Sequence, residues 1–395
     1  MSEVFAAAER AVIAGDAPAL ERLLADHPQL AEDYGAPPYV PEGPGPHYSG
    51  TAEKIITREQ QFEDFSEYLA FRELLRDPAS ATTQFEAAVE AIITGDLATL
   101  RALLRDHPEL INARSVRRHH STLLHYVGAN GVEGFRQKTP PNAVEITKLL
   151  LAAGAEVDAP AGMYGGGSTT LGLVATSIHP WLAGLQNPIM DVLLQHGARL
   201  GGVRGCLANG RGAAAEFLAD RGAALDLEEA AGVGRLEVVQ SFFDEQGDLI
   251  RGATRKQLIA GFAWACEFGR TAVVDYLLQH GVAIDARLPH DGQTGLHWAA
   301  LGGHTSTVEL LLSRGAPINL KDPTHDGTPL GWALYGWSGS RPPGEQPDYY
   351  AVVSRLVAAG ATVDPNWLSE DDRGLPLARR VREDPRMQAA LEGKS

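Results

Sequence analysis

A repeated pattern of apolar residues and glycines constrains this chain more than any other feature of its sequence. The clearest copy is DGQTGLHWAALGGHTSTVELLLSRGAPINLKD at residues 291–322. Thr294 opens a helix whose buried face begins at Leu296. Gly303 then turns the chain into a second helix, which ends at Gly315, where a left-handed cap favours glycine. One such helix pair cannot bury its own apolar face, so the pattern predicts that it stacks on further copies.

Further copies are present in the same register: Gly269 aligns with Gly303, and Gly281 with Gly315. Complete or shortened copies occur at residues 122–158, 169–198, 206–226, 227–248, 262–285 and 327–364. The segments TGLHWAA and VELLLSRGAPIN resemble the ankyrin repeat, T-P-L-H-x-A-A followed by V-x-L-L-L-x-x-G-A-x-x-N, although TGLH lacks the usual proline. The resemblance implies an all-α fold, an ankyrin-repeat solenoid of stacked helix-turn-helix units with short β-turn fingers, in a multi-repeat array of bacterial type.

Two domains are predicted. Residues 1–84 form an atypical helical N-terminal cap with a Pro/Gly strap (33–50), and residues 85–395 form the ankyrin-repeat array. The aromatic helical stretch at 52–75 is interpreted either as part of the cap or as a lid or partner-docking helix. The unit at 201–226 is short, which predicts that the array bends or breaks near residue 205.

Composition narrows the classes of function. The formal charge of -16 argues against binding to nucleic acid, which requires clustered Lys and Arg. The absence of a long apolar run predicts no membrane span, and the N-terminus has no secretion signal. Cys206 and Cys266 are the two cysteines, which favours a reducing compartment. We therefore expect a cytoplasmic protein, assumed to be a monomer, with no metal site and no cofactor.

The resemblance further implies a non-enzymatic protein-protein interaction module or scaffold. Its partner would contact the turn fingers and the concave face of the inner helices. Register places these candidate partner-binding residues there: Arg118, His119, Asn130, Phe268, His290, Asp291, His325 and Tyr335. Trp264, Trp298 and Trp332 follow the motif's histidine position and are predicted to face the stack as a structural ladder.

The alternative hypothesis is small-molecule binding or an acid/base enzyme. Segments 117–138, 161–170 and 179–187 would then form a pocket, in which Glu133 or a histidine could transfer protons. The candidate pocket residues are His120, Tyr126, Glu133, Arg136, Gln137, Tyr164, Ser168 and His179. No catalytic residue is assigned, because no nucleophile and base have a recognisable spacing. The same polar cluster is also interpreted as a rim for partner contact, and the glycines at 165–167 as a turn finger or, less favourably, a phosphate cradle.

Overall fold

The computed structural model describes residues 3–27, 30, 34, 52–250, 252–287, 292–342, 347–368 and 376–393. These residues are mostly helical, and none belongs to a named strand; isolated antiparallel bridges join Ala161 to Ser168, Phe243 to Leu249 and Arg287 to Thr294. His290, Asp291 and most of the strap at 33–50 lie outside the described residues. No described helix combines the length and apolar character needed to cross a lipid bilayer. The chain divides into two compact units, unit 1 (Met1–Arg199) and unit 2 (Leu200–Ser395).

Unit 1 is built from short helices. Its described α-helices are α1 (Glu3–Ala14), α2 (Ala17–Asp26), α3 (Ala52–Glu59), α4 (Phe65–Leu74), α5 (Ala81–Thr94), α6 (Leu97–Asp106), α7 (Ala143–Ala152), α8 (Thr170–Thr176), α9 (Ile178–Leu182) and α10 (Gln186–Gln195). Its described 3-10 helices are Pro108–Asn112, Leu123–Gly128, Gly134–Arg136 and Met163–Gly165. Helix α5 packs on the 3-10 helix Leu123–Gly128, which in turn packs on α7 and α8.

Two helix pairs of unit 1 are near duplicates in sequence and in structure. Gly15 and Gly95 end the first helix of each pair with φ of 65° and 83°, a backbone conformation that favours glycine. Asp16 and Asp96 then cap the second helix, because each carboxylate accepts a hydrogen bond from a backbone N–H three residues ahead (3.0 Å in both). The repeated sequence at residues 5–30 and 85–110 predicts two short helices hinged at Gly-Asp, and the described residues of both segments form such a pair.

The N-terminal helices α1 to α4 share a separate hydrophobic core, formed by buried residues between Ala8 and Phe71. Within this core, the aromatic helical stretch at 52–75 supplies Phe62, Tyr68 and Phe71, all of which are buried. The boundary between cap and array at residues 84 and 85 stays a prediction.

Unit 2 follows the same construction. Its described α-helices are α11 (Val203–Ala208), α12 (Gly212–Asp220), α13 (Leu227–Val233), α14 (Leu236–Gln240), α15 (Arg255–Glu267), α16 (Thr271–Gln279), α17 (Gly295–Gly302), α18 (Thr305–Ser313), α19 (Pro329–Ser338), α20 (Tyr349–Ala358), α21 (Pro376–Arg382) and α22 (Pro385–Leu391), with a 3-10 helix at Pro365–Trp367. Helices α13, α15, α17 and α19 pack on one another in that order. Helices α14, α16, α18 and α20 form a second row beside them, and one hydrophobic core joins the two rows.

Neighbouring helices of the first row approach so closely that a backbone carbonyl meets a glycine. A Cβ atom on Gly302 would lie 2.2 Å from the carbonyl oxygen of Glu267, so only glycine fits there. The same carbonyl accepts a hydrogen bond from Nε2 of His304 (2.7 Å). In the next repeat, the carbonyl oxygen of Leu301 accepts a hydrogen bond from the Tyr349 hydroxyl (2.8 Å). The carbonyls of Glu267 and Leu301 occupy equivalent positions in consecutive repeats, and a different side chain satisfies each of them.

Candidate binding sites

A threonine and the histidine three residues after it form the same structure in both units, which we name the Thr–His clasp. In unit 1, Nδ1 of His125 accepts from the N–H (3.1 Å) and hydroxyl (2.8 Å) of Thr122, and Nε2–H donates to the carbonyl of Ala159 (2.9 Å). In unit 2, His297 bonds Thr294 in the same way and reaches the carbonyl of Gly327 (3.2 Å). Each clasp thus ties a helix start to the following turn finger.

Both clasp histidines have a structural role rather than the role of a general acid. Burial lowers the pKa of His125 to about 4, although its hydrogen bond to Ala159 acts in the opposite direction. Burial also lowers the pKa of His297. The neutral ring, with one nitrogen accepting and the other donating, is the form that the observed hydrogen bonds require.

Close to the first clasp, four ionised side chains are packed into the interior of unit 1. We name Glu86, Arg117, Glu133 and Arg136 the charged cluster. Arg117 Nη2 lies 3.0 Å from Glu86 Oε2, and Arg117 Nε pairs with Glu133 Oε1. Arg136 Nη1 lies 2.7 Å from Glu86 Oε2 and 3.3 Å from Glu133 Oε1. Each arginine therefore contacts both carboxylates, which balances the charges of a group whose members are at most 9% exposed.

Arg117 also links the charged cluster to the N-terminal helices. Its Nη1 donates to the carbonyl (2.6 Å) and side-chain oxygen (3.0 Å) of Gln60. Its guanidinium carbon lies 5.2 Å from the centre of the Phe62 ring and 4.6 Å from that of Phe71. Such cation–π contacts are strongest when the cation is removed from water, as Arg117 is. The neighbouring Arg118, predicted to contact a partner, pairs at the surface with Glu63 (2.7 Å).

Two further polar rings adjoin the charged cluster. His119 Nδ1 accepts from the N–H of Ser121 (3.1 Å), and His119 Nε2 lies 3.6 Å from Glu133 Oε2. Tyr126 packs edge-on against the His119 ring, with the centroids 6.0 Å apart. Burial, followed by the charge of Glu133, raises the pKa of Tyr126 well above its usual value. His119 was expected at an exposed finger tip, but it is 2% exposed and so cannot present its ring to a partner.

The electrostatics of Glu133 make it a poor proton acceptor. Burial acts to raise its pKa, but the charge of Arg117, the nearby ring of His119 and the charge of Arg136 outweigh that effect and lower the pKa to about 2. A general base works best when its pKa is close to the operating pH. The carboxylate is therefore suited to holding the two arginines in place.

A cleft of about 760 Å³ opens beside the charged cluster, between α1, α4, α5 and the segment 135–138. Glu86, Arg117 and Arg136 lie at its walls. This cleft differs from the pocket that the sequence predicted, because segments 161–170 and 179–187 do not contribute to its described walls.

The remaining predicted pocket residues make local contacts. Tyr164 is 70% exposed and its hydroxyl donates to Asn130 Oδ1 (2.5 Å). Ser168 Oγ donates to the Met163 carbonyl (2.9 Å), and Gln137 Nε2 donates to that of Val132 (2.8 Å).

Two histidines complete the set: His120 Nδ1 lies 3.3 Å from the Ser115 carbonyl oxygen, and burial lowers the pKa of His179. The bridge between Ala161 and Ser168 agrees with the interpretation of the glycines at 165–167 as a turn finger. The structure brings Tyr126, Glu133 and Arg136 together and leaves the other candidates in separate contacts.

In unit 2, a single carboxylate organises the turn finger that follows the second clasp. Asp322 is 1% exposed. It accepts hydrogen bonds from the backbone N–H groups of Thr324 (3.0 Å), His325 (2.8 Å) and Gly327 (3.0 Å), and from Nε1 of Trp332 (2.9 Å). Burial acts to raise the pKa of Asp322, but these hydrogen bonds outweigh it and lower the pKa. The finger and the Trp332 ring are thereby fixed relative to each other.

Next to this finger, three aromatic rings reach the protein surface. We name His325, Trp332 and Tyr335 the aromatic surface. The Trp332 ring packs edge-on against His325 (centroids 5.7 Å apart) and Tyr335 (6.2 Å), and Tyr335 is 68% exposed. Together with Gly327 and Gly331, these residues line a depression of about 590 Å³. The two glycines carry no side chain that could fill it.

The structure brings together two predicted partner-binding residues, His325 and Tyr335, and adds Trp332 to them. Trp332 does contact Trp298 (centroids 5.8 Å apart), as the predicted ladder requires, but it also lines the surface depression, which was not expected. The signal that sequence reasoning missed is the indole N–H of Trp332, a polar group that is satisfied here by Asp322. Phe268 is half-buried and covers Gly212, and Asn130 donates to Thr176 Oγ1 (2.9 Å).

Comparison with known proteins agrees with the repeat pattern over part of the chain. Residues 262–312 match a family model described as ankyrin repeats (many copies). No curated protein matches the chain. Among the described residues, no group of three or more His, Cys, Asp or Glu side chains is arranged to hold a metal ion.

Proposed function

We propose that this chain is a protein-binding module of ankyrin-repeat type whose partner docks on the aromatic surface of unit 2. Ankyrin repeats are generally protein-protein interaction modules, and the match at residues 262–312 supports this class of function. The partner would insert an apolar side chain into the depression between His325, Trp332 and Tyr335.

The observation that carries this proposal is the exposure of Tyr335 beside a fixed tryptophan. A tyrosine that is 68% exposed contributes little to the stability of its own chain. Aromatic residues in fixed surface depressions, in contrast, supply much of the energy of protein interfaces. Because Asp322 already holds Trp332 and the finger, binding would cost little conformational entropy.

The scaffold that presents this surface is proposed to be a solenoid of ankyrin-type units over residues 85–395, closed at one end by the helical cap at 1–84. We further propose that the chain acts as a cytoplasmic monomer. A formal charge of -16 favours a basic protein partner over nucleic acid.

The alternative of acid/base catalysis gains no support from the charged cluster. The pKa of Glu133 is lowered to about 2, and Glu133 does not line the neighbouring cleft. Proton transfer would require a carboxylate with the opposite properties.

The test compares two tyrosines of equal exposure, Tyr335 (68%) and Tyr164 (70%). A partner is isolated with the full chain, purified, and titrated against the wild type, Tyr335→Ala and Tyr164→Ala by calorimetry. We expect Tyr335→Ala to raise Kd about 30-fold or more, as loss of an aromatic hot spot does. Tyr164→Ala should leave Kd unchanged within about twofold, a difference that corresponds to a few tenths of a kcal/mol. Equal affinity of the wild type and Tyr335→Ala would contradict the proposal.

A further inference from the structure

The cleft of about 760 Å³ in unit 1 has a charge opposite to that of the whole chain. Its lining includes the cations Arg72, Arg76, Arg117, Arg136 and Lys138, but only Glu86 and Glu90 as acids. The chain as a whole has a formal charge of -16. A concentration of cations in one concave site attracts anions and raises their local concentration.

Not all of these cations are available to a ligand. Arg117 and Arg136 are balanced by Glu86 and Glu133, and Arg76 pairs with Glu73 (2.5 Å). Two cations and one acid of the lining, Glu90, are outside these ion pairs.

Those two cations are Arg72 and Lys138. Arg72 Nη1 donates to the Tyr68 hydroxyl (2.8 Å) and to the Ala14 carbonyl, and its Nε and Nη2 make no hydrogen bond among the described residues. The Lys138 ammonium has no partner among the described residues, and Lys138 is exposed. A carboxylate, phosphate or sulfonate could accept hydrogen bonds from both.

Two side chains in the wall of the cleft carry buried polar atoms that make no hydrogen bond among the described residues. Arg136 is 9% exposed and Glu86 is 8% exposed, and both line the cleft. Within the described residues, Nε–H of Arg136 finds no acceptor and Oε1 of Glu86 finds no donor. Buried polar groups are almost always satisfied, so these two atoms point to a molecule that enters the cleft.

The cleft is also lined by apolar side chains that are partly open to solvent. Ile13 is 45% exposed, Leu69 is 54% exposed, and Phe135 is half-buried. Side chains of this kind favour a ligand with an apolar body as well as a charge. The volume lies within the range of roughly 300–1,000 Å³ that is usual for small-molecule sites.

We propose that this cleft binds a small organic anion with an apolar body. Its acidic group would contact Arg72 and Lys138, a polar atom would reach Nε–H of Arg136, and its apolar part would cover Ile13, Leu69 and Phe135. The site is independent of the aromatic surface in unit 2, so the two proposals can fail separately.

The probe for the test is 8-anilinonaphthalene-1-sulfonate, an aromatic anion whose fluorescence rises in apolar sites. The full-length native chain is titrated at neutral pH, with uncharged N-phenyl-1-naphthylamine as the matched probe. We expect saturable binding of the anion at one site per chain, with an affinity about tenfold or more above that of the uncharged probe, since a charge-assisted hydrogen bond contributes roughly 1.5–3 kcal/mol. Equal affinity for the two probes, or no saturation, would overturn the proposal.

Two pairs of variants locate the site. Lys138→Gln should weaken binding of the anion about fivefold to tenfold, whereas Lys148→Gln, at an exposed lysine outside the cleft, should not. Leu69→Ser should weaken both probes about threefold or more, whereas Leu74→Ser, on the same helix but outside the lining, should not. All four positions are exposed, and circular dichroism checks that each variant is folded. If each control weakens binding as much as its partner, the probe binds elsewhere and the assignment is wrong.

Discussion

The two Thr–His clasps are nearly identical, but the residues around them are used in opposite ways. Beside the clasp of unit 1, Glu133 is buried between two arginines. Beside the clasp of unit 2, the buried acid Asp322 is satisfied by neutral N–H groups, and the aromatic rings next to it face solvent. The clasp therefore fixes the backbone of one repeat. The flanking side chains determine whether that repeat stabilises the interior or presents a surface.

The local backbone explains part of this difference. In unit 1 the clasp opens a 3-10 helix, Leu123–Gly128, which ends at Ala129 with a φ of 44°. The chain then enters the segment 131–142, in which Glu133 pairs with Arg117. In unit 2 the clasp opens the α-helix Gly295–Gly302, which Gly303 turns directly into the next helix. No insertion separates the two helices of this repeat.

The largest expected effect is the loss of Glu133 from the charged cluster. Glu133→Ala leaves Arg117 and Arg136 with one buried carboxylate, so we expect the free energy of unfolding of unit 1 to fall by about 3–5 kcal/mol. Urea denaturation followed by fluorescence and circular dichroism measures it. The control is Glu90→Ala, at an exposed acid of α5, which should change stability by less than about 0.5 kcal/mol. Equal effects of the two substitutions would show that the charged cluster does not stabilise the fold.

Acidification should weaken both units through buried neutral histidines. The pKa of His125 and that of His304 are each lowered from 6.5 to about 4, so the unfolded chain takes up protons first as the pH falls. The contribution of these neutral histidines to stability is thus complete above about pH 6.5 and is lost as the pH falls to about 4. For the fully buried His125, the loss at pH 4.5 is about 2–3 kcal/mol.

Proton NMR of the folded protein measures this directly, as resonances of both histidines that titrate near pH 4. Titration near 6.5 would contradict the assignment. Glu133 acts in a lower window, because its stabilising charge is lost only as the pH falls from about 4.5 towards about 2.

A smaller loss is expected when the buried acid of unit 2 is removed. Asp322→Ala leaves the N–H groups of the finger and of Trp332 without their acceptor, which should cost about 1–3 kcal/mol. The loss is smaller than for Glu133 because neutral donors, unlike arginines, carry no net charge into the interior. Denaturation of Asp322→Ala is compared with that of Glu309→Ala, which removes an exposed acid paired with Arg355 (2.8 Å). A loss as large as that of Glu133→Ala would remove the distinction between the two clasps.

The smallest effect on stability is expected at the aromatic surface. Tyr335→Ala removes a ring that is 68% exposed, so the free energy of unfolding should change by no more than about 0.5 kcal/mol. Trp332→Phe, which removes the hydrogen bond to Asp322, should cost about 1 kcal/mol. If Tyr335→Ala destabilised unit 2 by several kcal/mol, the ring would be part of the core rather than a contact surface.

The sequence predicted the parts of this structure that depend on neighbouring residues. The helix that begins after Thr294 and the duplicated turns at Gly15 and Gly95 follow from local capping rules. The sequence also predicted that His325 and Tyr335 lie on the same partner-binding face, because the repeat register fixes their positions.

The burial of the charged cluster could not be predicted in the same way. Arg117 is enclosed by Gln60, Phe62 and Phe71, which belong to N-terminal segments far away in sequence. The repeat register treats residues 117–121 as an exposed finger, and on that basis His119 was expected to face a partner. Only the packing of the N-terminal helices shows that this finger is covered.

The most direct test of the account is site-specific photo-crosslinking at the two equally exposed tyrosines. A benzophenone amino acid is placed at position 335 in one chain and at position 164 in another, and each is irradiated with the purified partner. We predict a crosslinked product of chain and partner from position 335 and none from position 164. A product from position 164 without one from position 335 would contradict the claim that unit 2 presents the binding surface.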